Sequence, residues 1–88
     1  MYAIEFTEDA RKDLVALQKH APNAIRKLRG LLDELREHPR TVTGQVEQLR
    51  GYKNETWSRR INREHRLVYE IHDEQILVLV VSSYGHYK

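Results

Sequence analysis

WSRRINREHRLVYEIHDEQILVLVV, residues 57–81, carries most of the architectural information in this chain. Trp57, Arg59 and Ile61 alternate with Ser58, Arg60 and Asn62, and Leu67, Tyr69 and Ile71 alternate with Arg66, Val68 and Glu70, the period of two expected of strands. Residues 76–81 are continuously apolar, as in a strand covered on both faces. Asp73-Glu74 reads as a two-residue connection, so the last two strands form an antiparallel hairpin with Arg66 opposite Val81. Within this strand-like stretch, residues 57–69 hold four arginines and a histidine, offset only by Glu64. Either they form a solvated surface, or an anionic partner lies across them.

Upstream, residues 46–49 read as a short, weak strand. Before it, Ile25, Leu28, Leu32 and Leu35, with Ala24 and Leu31 beside them, make a 3.6-period stripe over a helix from about Asn23 to Glu37. His20-Ala21-Pro22-Asn23 separates it from an earlier helix, because proline disfavours helical geometry in the residue before it. That earlier helix carries Ala10, Leu14 and Leu17 on one face, with Thr7 as N-cap and Glu8 and Asp9 in its first turn. Tyr2, Ile4 and Phe6 alternate as a first strand. The order is β-α-α-β-β-β-β, an α+β domain with a helical hairpin packed on one face of an antiparallel-rich, twisted sheet. Residues 1–88 form a single domain without repeats, linkers or low-complexity segments.

Composition narrows the chemistry. The absence of cysteine excludes disulfides and thiolate metal sites, and the five histidines lack a metal-ligand spacing, so no metal is expected. No signal peptide is evident and the longest apolar run is far too short to span a bilayer, so a cytoplasmic protein without a membrane partner is expected. Net charge is only +2, but between Arg40 and Arg66 seven cations stand against Glu47, Glu55 and Glu64, leaving the rest of the chain net negative. Ten of the fifteen cations are arginine, whose planar fork suits phosphate. The polar groups of the second half, Glu47, Arg50, Arg59, Arg60, His65, Arg66, His86 and Tyr87, fit one reaction that needs no cofactor. In RNA cleavage by internal transfer, a base takes the 2′-hydroxyl proton, an acid serves the departing 5′-oxygen, and cations hold the charge gathering on phosphorus.

WSRRI, EHRLVY and a C-terminal HY doublet, in that order, resemble the YoeB/Txe toxins of the RelE/ParE superfamily, and the likeness covers essentially the whole chain. It implies a microbial-ribonuclease-like fold and a ribosome-dependent mRNA endoribonuclease that leaves a 2′,3′-cyclic phosphate and a 5′-hydroxyl. It further implies Glu47 as general base, Arg66 as the cation on the transition state, His86 as general acid and Tyr87 as the group positioning the scissile nucleotides. Arg50, Arg59 and Arg60 match the family's basic positions and are expected to bind RNA, with Arg60 the safer choice because Arg59 falls on the Trp57 side of its strand. The implied partners are the ribosome with its mRNA, a YefM/Phd-like antitoxin, promoter DNA only through the antitoxin complex, and a second copy in a homodimer.

Blander readings stand beside these. Glu47 also suits a surface pair with Arg50, and Arg66 shares a face with Glu70 and balances it in that reading. His65 points away from Arg66 and reads as structural, and Trp57, Ile61, Leu67 and Tyr69 read as core. A ParE-like toxin acting on DNA gyrase, or a plain RNA- or ribosome-binding module, is the alternative function.

Overall fold

The computed structural model describes residues 1–40, 46–63, 65–75 and 77–82. Its elements are β1 (Ala3–Phe6), α1 (Glu8–His20), α2 (Pro22–Glu37), β2 (Val46–Leu49), β3 (Thr56–Arg60), β4 (Arg66–His72), a 3₁₀ turn at Asp73–Gln75, and β5 (Leu77–Ser82). This is the expected α+β order. Thr7 caps α1 as its extended backbone turns the side chain onto the helix, Oγ1 accepting from the Ala10 N–H at 3.1 Å. Only Ala21 separates the helices. Its N–H donates to the Leu17 carbonyl at 2.7 Å, and α2 begins at Pro22 rather than Asn23. Proline suits the first helical position because the N–H it lacks has no partner there anyway.

The five strands lie in the order β1-β5-β4-β3-β2. β1 runs parallel to β5, and every other neighbouring pair is antiparallel. One core joins the helices to one face of this sheet: Ala10 and Leu17 from α1, Leu28 and Leu35 from α2, and Leu67, Tyr69 and Ile71 from β4. The strand alternation read from the sequence therefore holds for Leu67 and Tyr69, Ile61 joins the same cluster fully buried, and Trp57 packs against it half-buried.

The β4–β5 register differs from expectation. His72 pairs with Leu77, so the connection is two residues longer than a two-residue turn. A β-bulge between Val68 and Tyr69 then moves the pairing one residue further, placing Val68 opposite Ser82. Arg66 is accordingly not opposite Val81. The cause lies in the turn: Asp73 is drawn outward by two distant groups, its Oδ2 accepting from Arg40 Nη2 and its Oδ1 from the Tyr2 hydroxyl, both at 2.6 Å.

Candidate active site

Strand pairing assembles a polar cluster on the sheet face turned away from the helices. Glu47 on β2 pairs with Ser58 on β3, Ser58 pairs with Val68 on β4, and Arg60 pairs with Arg66. Cross-strand partners share a face, so Glu47, Ser58, Arg60 and Arg66 stand together. The guanidinium of Arg66 donates through Nε to Ser58 Oγ at 2.6 Å, while Nη2 stands 3.9 Å from Glu47 Oε1. The first is a short hydrogen bond. The second is charge proximity without a hydrogen bond. The Glu47 side chain is 70% exposed and that of Arg66 28%, so both remain open to solvent and to a ligand.

This arrangement replaces the blander pairings. Glu47 meets Arg66, not Arg50, which stands exposed just beyond β2. Glu70 is engaged by His72 Nε2 at 2.9 Å and by Asn54 Nδ2 at 3.2 Å rather than by Arg66. His65 is buried and its main chain closes the β3–β4 turn, the N–H donating to Asn62 Oδ1 at 2.8 Å and the carbonyl accepting from the Ile61 N–H at 2.9 Å. His65 is thus held within the β3–β4 connection rather than presented to solvent.

Of the arginines expected to bind RNA, Arg50 and Arg60 are exposed. Arg59 is buried, which withdraws it from the RNA contact expected of it. It pairs with Leu67, faces the helices and is 1% exposed. Its Nη1 donates to Glu34 Oε1 on α2 at 3.2 Å, and its Nε and Nη2 have no hydrogen-bond partner among the described residues. Burial pulls the Arg59 pKa below its ordinary value, and burial pushes that of neighbouring Tyr69 up to about 12, with the Tyr69 hydroxyl donating to the Pro39 carbonyl. The period-two pattern already held this outcome, since it put Arg59 on the Trp57 side. His86 and Tyr87 lie outside the described residues. β5 spans Leu77–Ser82, with Ser82 paired to Val68, two residues along β4 from Arg66.

Two features escaped the sequence reading. Ser58 was legible in principle, because alternation puts it on the face of Arg60. The second is an ion-pair network at the opposite end of β4. Arg40 donates through Nε and Nη2 to both carboxylate oxygens of Glu55, at 2.6 and 2.8 Å, and through Nη2 to Asp73. Trp57 Nε1 adds a bond to Glu55 at 2.7 Å. The Arg40 guanidinium holds the Glu55 and Asp73 carboxyls below their usual range, and the hydrogen bond to Asp73 raises the Tyr2 hydroxyl. Apart from Trp57 and Glu55, two residues apart, these partners are 15 to 71 residues apart in sequence, and no local pattern announces their meeting. Among the described residues, no group of three or more His, Cys, Asp or Glu side chains is placed to hold a metal ion, and no helix is long and apolar enough to cross a membrane.

Comparison with known proteins places the whole chain in one family. The family described as YoeB-like toxin of bacterial type II toxin-antitoxin system matches residues 6–87. A toxin YoeB of Synechocystis is 34% identical over 85 residues, covering 97% of this chain and 96% of the relative. Among solved structures, a YoeB/ParE toxin from Agrobacterium tumefaciens superposes with a TM-score of 0.86 at 27% identity, covering 97% of this chain and 99% of the other. YoeB of Staphylococcus aureus, solved in a heterotetrameric complex with the antitoxin YefM, gives 0.81 at 30% identity with 99% of each chain covered. A YoeB dimer from Staphylococcus aureus gives 0.82 at 31% identity with 98% of each chain covered.

Proposed function

The chain belongs to the YoeB-like toxins of bacterial type II toxin-antitoxin systems, and from that membership we propose that it is a ribosome-dependent mRNA endoribonuclease acting in the cytoplasm. One observation carries the reading: Glu47 and Arg66, both partly exposed, approach to 3.9 Å without closing into a hydrogen-bonded pair. A carboxylate and a guanidinium so arranged supply two of the functions that cleavage by internal transfer requires.

In this mechanism Glu47 takes the proton of a ribose 2′-hydroxyl, and the oxygen attacks the adjacent phosphorus. Arg66 holds the non-bridging oxygens as negative charge collects there. His86 gives its proton to the departing 5′-oxygen, so the products are a 2′,3′-cyclic phosphate and a 5′-hydroxyl. Tyr87 positions the nucleotides, and the exposed Arg50 and Arg60 bind the RNA backbone. The ribosome holds the single strand, which a pair of surface side chains has little means of orienting alone. By analogy with S. aureus YoeB, solved as a dimer and in complex with YefM, the chain pairs with a second copy of itself and binds a YefM/Phd-like antitoxin. The resemblance to the family adds that this antitoxin silences it and that promoter DNA is reached only through their complex.

The test adds purified protein to translating ribosomes and maps new mRNA 5′ ends. Cleavage within or beside the A-site codon is expected, falling roughly 10²–10⁴-fold in Arg66→Ala or His86→Gln. Undiminished cleavage by either variant, or ends independent of translation, overturns the mechanism.

A further inference from the structure

We propose that Ser58 is a positioning residue for Arg66: its hydroxyl grips the guanidinium by the Nε edge and keeps the outer edge from closing onto Glu47. The inference rests on the reading of Arg66 as the phosphate-binding cation.

An arginine beside an exposed carboxylate ordinarily forms two parallel N–H···O bonds, the strongest arrangement open to the pair. Here that arrangement is not formed. Glu47 and Arg66 stand 3.9 Å apart, although the Glu47 side chain is 70% exposed and has room to turn. What holds Arg66 back is the 2.6 Å bond from its Nε to Ser58 Oγ. Ser58 is itself 1% exposed, fixed in the middle of β3 between its cross-strand partners Glu47 and Val68. The anchor is therefore rigid, whereas the groups it separates lie at the surface.

Cross-strand geometry adds a second reason. Arg66 lies directly opposite Arg60, another cation, an arrangement that destabilises unless one side chain is led away. Ser58 lies diagonally across, two residues before Arg60, and leads Arg66 toward β2 and Glu47. A guanidinium has five N–H donors, and Ser58 takes the one on Nε. The four on Nη1 and Nη2 are left, a planar fork matched to two phosphate oxygens. Without Ser58, Arg66 is released onto Glu47, and the proton acceptor and the charge-holding group neutralise one another. The loss then falls on the chemical step and not on ribosome binding.

The experiment is a double-mutant cycle in single-turnover mRNA cleavage on translating ribosomes, using the full-length chain, with ribosome affinity and urea unfolding measured in parallel. Ser58→Ala is expected to lower the cleavage rate roughly 10- to 100-fold, the worth of a hydrogen bond to a charged group, with ribosome affinity unchanged. In an Arg66→Ala background the same substitution is expected to cost nothing further. Ser58→Thr, which keeps the hydroxyl, is expected to retain most of the rate. Ser58→Cys, nearly the same size with a weak acceptor, is expected to behave like alanine, so the result does not depend on one variant folding well. Full activity in Ser58→Ala and Ser58→Cys alongside an inactive Arg66→Ala overturns the inference and leaves the proposed function standing. An equal loss with and without Arg66 also overturns it, by showing that Ser58 acts through something else. An active Arg66→Ala brings down the functional reading itself, and this inference with it.

Discussion

Arg59 and Arg66 sit on adjacent strands in one basic run, yet they serve opposite ends. Arg66 starts β4 on the face turned away from the helices and keeps part of its surface in water. Arg59 is sealed against α2, and its one ion pair among the described residues is to Glu34, whose side chain is 44% exposed. Removing a guanidinium from water is costly, and one partial partner repays little of it. Replacing Arg59 by methionine is therefore expected to leave stability unchanged or raise it by about 1 kcal/mol, with cleavage intact. Glu34→Ala, which strands the buried charge, is expected to cost about 1–2 kcal/mol, less than in a fully buried pair because solvent screens Glu34. Urea unfolding of the two variants reads the difference. A stabilised Glu34→Ala would contradict the assignment of Arg59 to the interior. The sequence carried this distinction in its alternation, since residues two apart share a face, whereas charge alone grouped both arginines together.

At the scale of elements, periodicity revealed the helices and strands, and pairing register stayed hidden. Thr7, the proline break and the apolar stripe of α2 act over a few residues, so the sequence displays them directly. The β4–β5 connection depends on Arg40 and Tyr2 capturing Asp73, groups 33 and 71 residues away. A two-residue turn was the natural reading of Asp73-Glu74, and tertiary contacts lengthened it. The same limit applies to Glu47, whose meeting with Arg66 follows from the β2–β3–β4 register. That register depends on how the chain reverses after β2, where Gly51 adopts φ +87°, a left-handed conformation disfavoured by a Cβ. The space around it is open, so Gly51→Ala adds no clash and tests the backbone alone. It is expected to cost about 1–2 kcal/mol in chemical denaturation.

Across the whole molecule, the Arg40 network joins segments that the sheet alone leaves apart. It ties the residues after α2 to the start of β3, the β4–β5 turn and, through Asp73, the Tyr2 side chain. Because Glu55 and Asp73 titrate lower when folded than when unfolded, their contribution is complete above the ordinary carboxylate range. It is lost as pH falls through their folded values, where the unfolded chain binds more protons. The urea midpoint is expected to hold steady from about pH 7 to about pH 5 and to decline below about pH 4, with Arg40→Ala starting lower and declining less. An unaltered acid limb in Arg40→Ala would dissociate the network from acid sensitivity. The strand order has a different consequence, one of timing. β1 has β5 as its sheet neighbour, and Ala3 waits for Leu77, 74 residues later, before it can pair. A nascent chain emerging from the N-terminal end therefore cannot complete its sheet until the last strand is free of the exit tunnel. The completed sheet therefore first appears outside the ribosome that builds it, after every other strand has already been exposed.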